Sequence, residues 1–521
     1  MNEQIKSLSE IFSKKYEIDS SADEPKIKVN ISLRRATFAY EKLRNIIDYQ
    51  DEHLFLKNSI RRILKRRLTL GETRNIAQKL LRELVWAGYF PDETLPESYC
   101  DKVEKVIRKY NFLRRNISSK LKPKRISNIL MGLMACEIEE MLSPRTKQYS
   151  FLDFASEIFI NQINLENPEE AEMSQLSELV KIAVEQSILK EDREQIIYRL
   201  FQEKIPSWKN FTKSDTEKLA KNFNSLYNEF DNLFQNPFRQ RIYRFIKKNS
   251  APLLVFYNIL NANPQNLALI LRDESYLKEK IEGYLDNEYR EVHRKVLRAI
   301  SRAIIFILLT KIILAFIIEV PYEIAFRGEI DYKALTINIT FPPLLMLITG
   351  LLIKVPGQKN TEKILKNIRE MINHQKLLSR PLINLRPKRG LIFDIFNAVY
   401  SILSLGVIII VIWALISLQF NAVSIVLFFI FVSIVSFLAF RIRLTASELR
   451  AEAEDEEVLL GIFEIIFLPF IRIGRWLSDK FSEYNFTLFF WDFIVEAPLK
   501  AVVSALEGWF LFVREKKEEF E

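Results

Sequence analysis

The spacing of apolar positions changes character once along the chain, near residue 300. From Leu33 to about Val296, apolar residues recur at helical intervals with polar faces between them. That pattern predicts one amphipathic helix after another. No strand-length alternating run with hairpin turns stands out. Several helix starts are legible. Thr69 with Glu72 and Ser214 with Glu217 have the spacing of a capping box, in which a hydroxyl and a carboxylate satisfy orphan N–H groups. Asn167-Pro168, Asn236-Pro237 and Asn263-Pro264 each predict an N-cap followed by a proline in the first turn. Residues 1–32 read as a polar N-terminal tail, and "LENPEEAEMS" (165–174) marks a candidate division of the helical domain 33–295.

After residue 300 the apolar positions become continuous. Four stretches have the length and composition of a bilayer crossing: 303–320, 335–353, 395–418 and 422–440. The second contains Pro342-Pro343 and reads as interrupted. Only "QFN" separates the third and fourth, which predicts a tight antiparallel hairpin. "YLKEKIEGYLDNEYREVHRKVLRAISR" holds no breaker after Gly283, so the first span is expected to continue a helix that begins outside the membrane.

Lysine and arginine placement sets the expected orientation. The loop 354–390 carries ten Lys/Arg and is expected to be cytoplasmic. The loop 321–334 carries only Arg327 and Lys333, beside Glu323, Glu329 and Asp331, and is expected outside. Arg441 and Arg443 close the fourth span on the inner side. The transmembrane region is therefore placed at 296–443, in the cell membrane, with both termini cytoplasmic. The first residues contain no apolar signal-peptide core, which agrees with that orientation.

Residues 444–521 follow as an acidic helix and membrane-interfacial or re-entrant helices. "VLLGIFEIIFLPFIRI" (458–473) is short for a crossing and would strand Arg472, Arg475 and Lys480 outside. In "WDFIVEAPLKAVVSALEGW" (491–509), Asp492, Glu496, Lys500 and Glu507 fall on one narrow stripe of a continuous helix, which Pro498 kinks or restarts. An interfacial amphipathic helix accounts for that stripe. A further span with a polar face toward the bundle is the alternative, and a buried helical hairpin of a soluble core is the plain reading. The fold class is thus all-α: a multi-helical cytosolic domain, four transmembrane helices, and C-terminal amphipathic helices.

Composition sharpens this in a few places. The net charge of +9 is a sum of opposed blocks: +9 over residues 51–150, −7 over 151–200, +7 over 351–400 and −8 over 451–521. Two cysteines and three histidines leave no disulfide framework and no zinc pair. No P-loop, GxGxxG, GxSxG or HExxH occurs. No cofactor is expected and no catalytic residue is assigned.

The most pointed residue is Lys311, in the middle of the first span. An intramembrane lysine needs a polar partner or water. Glu319 and Glu323 follow at multiples of four, and Asn338 and Thr340 on the second span could join them. The candidate intramembrane polar site is therefore Lys311, Glu319, Glu323 and Asn338. The functional reading is an ion, proton or substrate path; the plain one is a lysine that snorkels or pairs with a neighbouring helix. A second candidate is a basic patch facing lipid or a partner: Arg61, Arg62, Lys65, Arg66, Arg114 and Arg115. Anionic lipid or an ordinary solvated face explains these charges better than nucleic acid, since no reading module accompanies them.

The expected function is a membrane-anchored interaction or scaffold protein with a protein partner or a second copy of itself. The acidic residues 448–457 could dock on a basic block. A transporter or gated channel is the alternative. A membrane-bound enzyme of unrecognised type is a weaker one.

Overall fold

The computed structural model describes residues 3–14, 24–29, 41, 52–69, 75–117, 123–163, 170–208, 211–374, 391–451 and 458–483. Among them the chain is all-α, with no strand and one isolated bridge between Lys26 and Pro96. It divides into two compact units, built mainly from Glu3–Asn161 with Asn167–Lys247, and from Lys248–Asn485.

The first unit holds α1 (Glu3–Ser13), α2 (Phe55–Thr69), α3 (Ile76–Trp86), α4 (Ser98–Asn116), α5 (Pro123–Leu142), α6 (Thr146–Ile160), α7 (Glu170–Val184), α8 (Arg193–Lys204) and α9 (Lys213–Gln235). α10 (Arg239–Asn249) leads out of it. The segment expected as a polar tail opens with a helix, because Ile5, Leu8 and Phe12 share one face and are buried where α1 packs on α6. Lys147 fixes the end of that helix by donating to the Phe12 carbonyl at 2.8 Å.

The helix starts fall differently from those expected. Thr69 ends α2, and Ser214 lies inside α9. The capping box of α9 is Thr212 with Asp215, two residues earlier than expected. α8 carries another, Asp192 with Gln195. Asn236 and Asn263 cap the C-terminal ends of α9 and α11 (Ala251–Ala262) instead of starting the next helix. Asn–Pro marks a chain reversal equally well from either side, since the residue before proline is pushed out of the helical region. Asn167-Pro168 lies outside the described residues.

In the second unit α11 and α12 (Leu267–Arg272) precede α13 (Glu274–Leu314). A π turn at Ala315–Glu319 and α14 (Val320–Arg327) extend α13 to one helical run of 54 residues, Glu274–Arg327. Asp273 caps its start by accepting from the Ser275 and Tyr276 amides. Leu277, Ile281, Leu285, Val296, Ile300, Ile307 and Lys311 form its buried row. Gly328, with φ +77°, ends the run. Only three further residues separate it from α15 (Tyr332–Leu351), which Asp331 caps. α16 (Gln358–His374), α17 (Leu391–Ser417), α18 (Ala422–Ala446) and α19 (Val458–Glu483) complete the unit.

Among the described residues, four helical runs are long and apolar enough to cross a membrane: Glu274–Arg327, Tyr332–Leu351, Asp394–Ser417 and Ala422–Ala446. α13, α15 and α18 pack mutually around a core that includes Val296, Ile307, Met346, Phe431 and Val435. The apolar side chains facing away from this core, such as Ile305, Phe306, Leu309, Phe316 and Trp413, are exposed. That surface would be unfavourable in water and is favourable against lipid.

Four features differ from the sequence reading. Pro342 and Pro343 lie inside α15 without breaking it, and both are buried. Prolines are tolerated in such helices where neighbours supply the missing contacts. The turn between α17 and α18 is tight, with Gln419 at φ +63° and Phe420 N–H donating to the Leu415 carbonyl at 3.0 Å. Yet α17 is not laid along α18: most of its side chains stay exposed, and α19 takes that place. Gly474 lets α19 approach Ser433 and Phe437 of α18 closely, and Phe470 stacks on Phe429 at 5.7 Å. α19 runs through Pro469 and past Arg472 and Arg475, beyond the short apolar stretch expected. The loop expected over 354–390 contains α16, whose buried Ile364, Ile368 and Met371 face α11 and α13.

Candidate intramembrane polar site

Lys311, Glu319 and Asn338 are fully buried, and Glu323 nearly so. The π turn explains why the three charges share a face. On an unbroken α-helix, Glu319 and Glu323 would lie about 80° and about 120° around from Lys311. A π turn acts as one inserted residue, which rotates both carboxylates back to within about 20° of it. Pro321, which has no N–H to donate, follows at once.

The result is two connected tiers. In the inner one, Lys311 Nζ donates to Glu319 Oε1 at 2.5 Å. It also lies 5.0 Å from the centre of the Phe431 ring, within cation–π range. Glu319 Oε2 accepts from Asn338 Nδ2 at 2.8 Å and from Ser424 Oγ at 3.2 Å. Asn338 Nδ2 also reaches the Ser424 carbonyl at 3.3 Å. In the outer tier, Glu323 Oε1 accepts from Asn421 Nδ2 at 3.0 Å, and its Oε2 accepts from the Asp331 amide at 3.2 Å. Asn421 caps α18 through the Ser424 amide at 2.7 Å, so one residue joins both tiers. Arg327 Nη1 donates to the Gln419 carbonyl at 2.7 Å and ties the end of α14 to the α17–α18 turn.

Thus the structure brings together all four candidate residues on one side of α13–α14. Thr340 is exposed and takes no part. Ser424, Asn421 and Asp331 complete the site and escaped sequence reasoning, although "NAVS" at 421–424 has the spacing of an N-cap and its amide partner. Isolated charges here would each cost several kcal/mol; pairing and hydrogen bonding offset that cost. Asn338 Oδ1 is buried and, among the described residues, has no hydrogen-bond partner. Beside it, Pro342 and Pro343 deprive the Asn338 and Ile339 carbonyls of their α-helical donors.

The basic patch is dispersed among other contacts. Arg62 reaches Glu41 at 2.6 Å, Arg66 reaches Glu83 at 2.5 Å, and Arg61 reaches Glu194 at 2.7 Å. Lys65, Arg114 and Arg115 are exposed. Asp492, Glu496, Lys500 and Glu507 lie outside the described residues.

A second concentration of charge sits between α2, α5 and α8. Lys57, fully buried, pairs with Asp192 and with Glu194 at 3.5 Å. Gly132 leaves room for the Glu194 carboxylate against α5. Burial pulls the Lys57 ammonium down, but Asp192, Cys136 and Glu194 outweigh it and raise its pKa. Arg145 bridges Glu191 at 2.5 Å and Glu139 at 3.1 Å. Arg199 meets Glu185 at 2.5 Å in a π turn, Glu185–Leu189. Burial pushes the Glu185 carboxyl up to about 8 against the pull of Arg199. Elsewhere Lys109 lies 4.5 Å from the Trp208 ring and pairs with Glu137 at 2.6 Å. These groups hold one another, and among the described residues no His/Cys/Asp/Glu group could hold a metal ion.

Compared with protein families, curated proteins and solved structures, the chain matches none.

Proposed function

We propose that this multi-pass membrane protein acts as an anchored interaction protein, with its N-terminal helices on the cytoplasmic side engaging a protein partner or a second copy. The carrying observation is how the intramembrane charges are used. The Lys311 ammonium and both oxygens of Glu319 are taken up by protein groups, with 0% exposure of either residue. Groups consumed in this way clasp helices together, whereas a conduction path needs groups open to water or ions. The continuous run Glu274–Arg327 joins the clasp to a polar, amphipathic half of the same helix. Photo-crosslinkers at exposed Lys105 and Lys218 of the full-length protein in native membranes should give discrete protein adducts. Absence of adducts, with ion flux in proteoliposomes that Lys311→Leu abolishes, would overturn this reading.

One observation favours a second reading, a proton or ion path. Among the described residues Asn338 Oδ1 has no hydrogen-bond partner, and the Asn338 and Ile339 carbonyls on the same helix lose their usual donors to Pro342 and Pro343. Flux that persists in wild-type proteoliposomes and falls in Asn338→Leu would favour it.

A further inference from the structure

The polar half of α13 ends in a row that the intramembrane clasp does not use. Arg290, Arg294, Arg298 and Arg302 follow one another at i, i+4 spacing, and all four are exposed. Like charges at this spacing repel and weaken a helix. Beyond Glu291 the chain offers no further carboxylate before Glu319, so Arg298 and Arg302 have none at helical spacing. Glu291 itself is engaged with Lys295 at 3.4 Å. Among the described residues, Arg294, Arg298 and Arg302 form no ion pair. Arg298 Nε donates only to the Arg294 carbonyl at 3.2 Å.

The row continues without a break into an apolar surface. Phe306 is the next residue at the same spacing and is 62% exposed; Ile305 and Leu309 beside it are 59% and 55% exposed. Cationic groups therefore sit directly below a lipid-facing stripe on one helix. One neighbouring helix, α15, ends close by. A Cβ added to Gly350, near the end of α15, would lie 2.9 Å from the Ile300 side chain, so α15 passes close to α13 there, and Lys354 follows. Ala439 and Ala446 of α18 belong to the same buried core as Val296 and Ile300, and Arg441 and Arg443 lie between them in the sequence.

We infer that Arg294, Arg298 and Arg302 form a binding site for the headgroup of an anionic phospholipid, whose acyl chains lie along Ile305, Phe306 and Leu309. Guanidinium groups recognise phosphate oxygens bidentately, and each basic residue near an anionic surface adds about 1 kcal/mol of attraction. The inference rests on the reading of 303–320 as a membrane span. It is independent of which side the N-terminus occupies.

The test is native mass spectrometry of detergent-solubilised full-length protein given equal amounts of phosphatidylglycerol and phosphatidylcholine. The wild type should retain the anionic lipid severalfold over the zwitterionic one, and the preference should fall as salt is raised. The triple variant Arg294→Gln, Arg298→Gln, Arg302→Gln should lose it. Removing three exposed charges elsewhere (Lys105→Gln, Lys218→Gln, Lys221→Gln) should not change it. A wild type with no preference, or with one insensitive to salt, overturns the site even if the triple variant fails to fold. Equal loss in both triple variants also overturns it. Competition by soluble glycerol phosphate as effective as the lipid itself would overturn the assignment to lipid. A failed membrane-span reading would show separately, as protein that stays monodisperse without detergent.

Discussion

Lys311 and Glu319 stand eight residues apart on one helical run, yet their side chains meet at 2.5 Å because a π turn ends at Glu319. The same carboxylate receives Asn338 from α15 and Ser424 from α18. One ion pair within a helix therefore becomes the joint of three.

This joint predicts strong coupling. Lys311→Met leaves Glu319 as an uncompensated buried charge, and Glu319→Gln leaves Lys311 so. Breaking a buried pair from one side costs about 3–5 kcal/mol, whereas replacing both partners is close to neutral. Thermal unfolding of the purified protein in detergent should show large losses for each single variant. The double variant should be more stable than either. Additive losses would mean that the pair does not act as a unit.

Gly474 predicts a steric effect on the α18–α19 contact. A Cβ there would meet the Ser433 carbonyl and the Phe437 Cβ, neither of which is a flexible side-chain end. Gly474→Ala should destabilise by about 1–3 kcal/mol, the usual range for overpacking. Gly406→Ala, in open space on α17, should not destabilise. Unfolding midpoints of the two variants make the comparison, and equal midpoints would detach α19 from α18.

The Glu185 carboxyl sets a pH dependence for the N-terminal helices. Its folded pKa is raised by burial, with Arg199 opposing and Glu191 and Glu203 adding to the rise. The folded state therefore binds the proton more tightly than the unfolded state. The stability linked to that proton is full below the ordinary carboxylate range and is lost as pH rises through about 8. Unfolding midpoints should fall between about pH 6 and about pH 9, roughly one to two units either side of the raised pKa, and Glu185→Gln should flatten that slope.

The all-α class, the four apolar runs and the helix continuing into the first span were legible in the sequence, because period and length carry that information locally. Lys311, Glu319, Glu323 and Asn338 were legible as well, since a polar group within an apolar run is conspicuous. Their partners were not. Ser424 and Asn421 look like ordinary cap residues until the α18 start is placed beside Glu319 and Glu323. The π turn has no clear sequence signature, and Pro342-Pro343 looks like a break wherever the tertiary contacts that tolerate it are unseen. The full length of α19 is not legible, because Arg472 and Arg475 end its apolar pattern without ending the helix. In the same way, Arg61, Arg62 and Arg66 look like a surface patch until Glu194, Glu41 and Glu83 arrive from distant positions.

The proposed orientation places the N-terminal helices and α16 on the inner side of a membrane that the chain crosses. Single cysteines at Tyr332, Lys359 and Lys218, in a Cys100→Ser, Cys136→Ala background, can be probed in intact cells with a membrane-impermeant maleimide. Tyr332, 72% exposed at the start of α15, should be labelled from outside, and Lys359 and Lys218 only after the membrane is permeabilised. Outside labelling at Lys359 or Lys218, or none at Tyr332, would contradict the account.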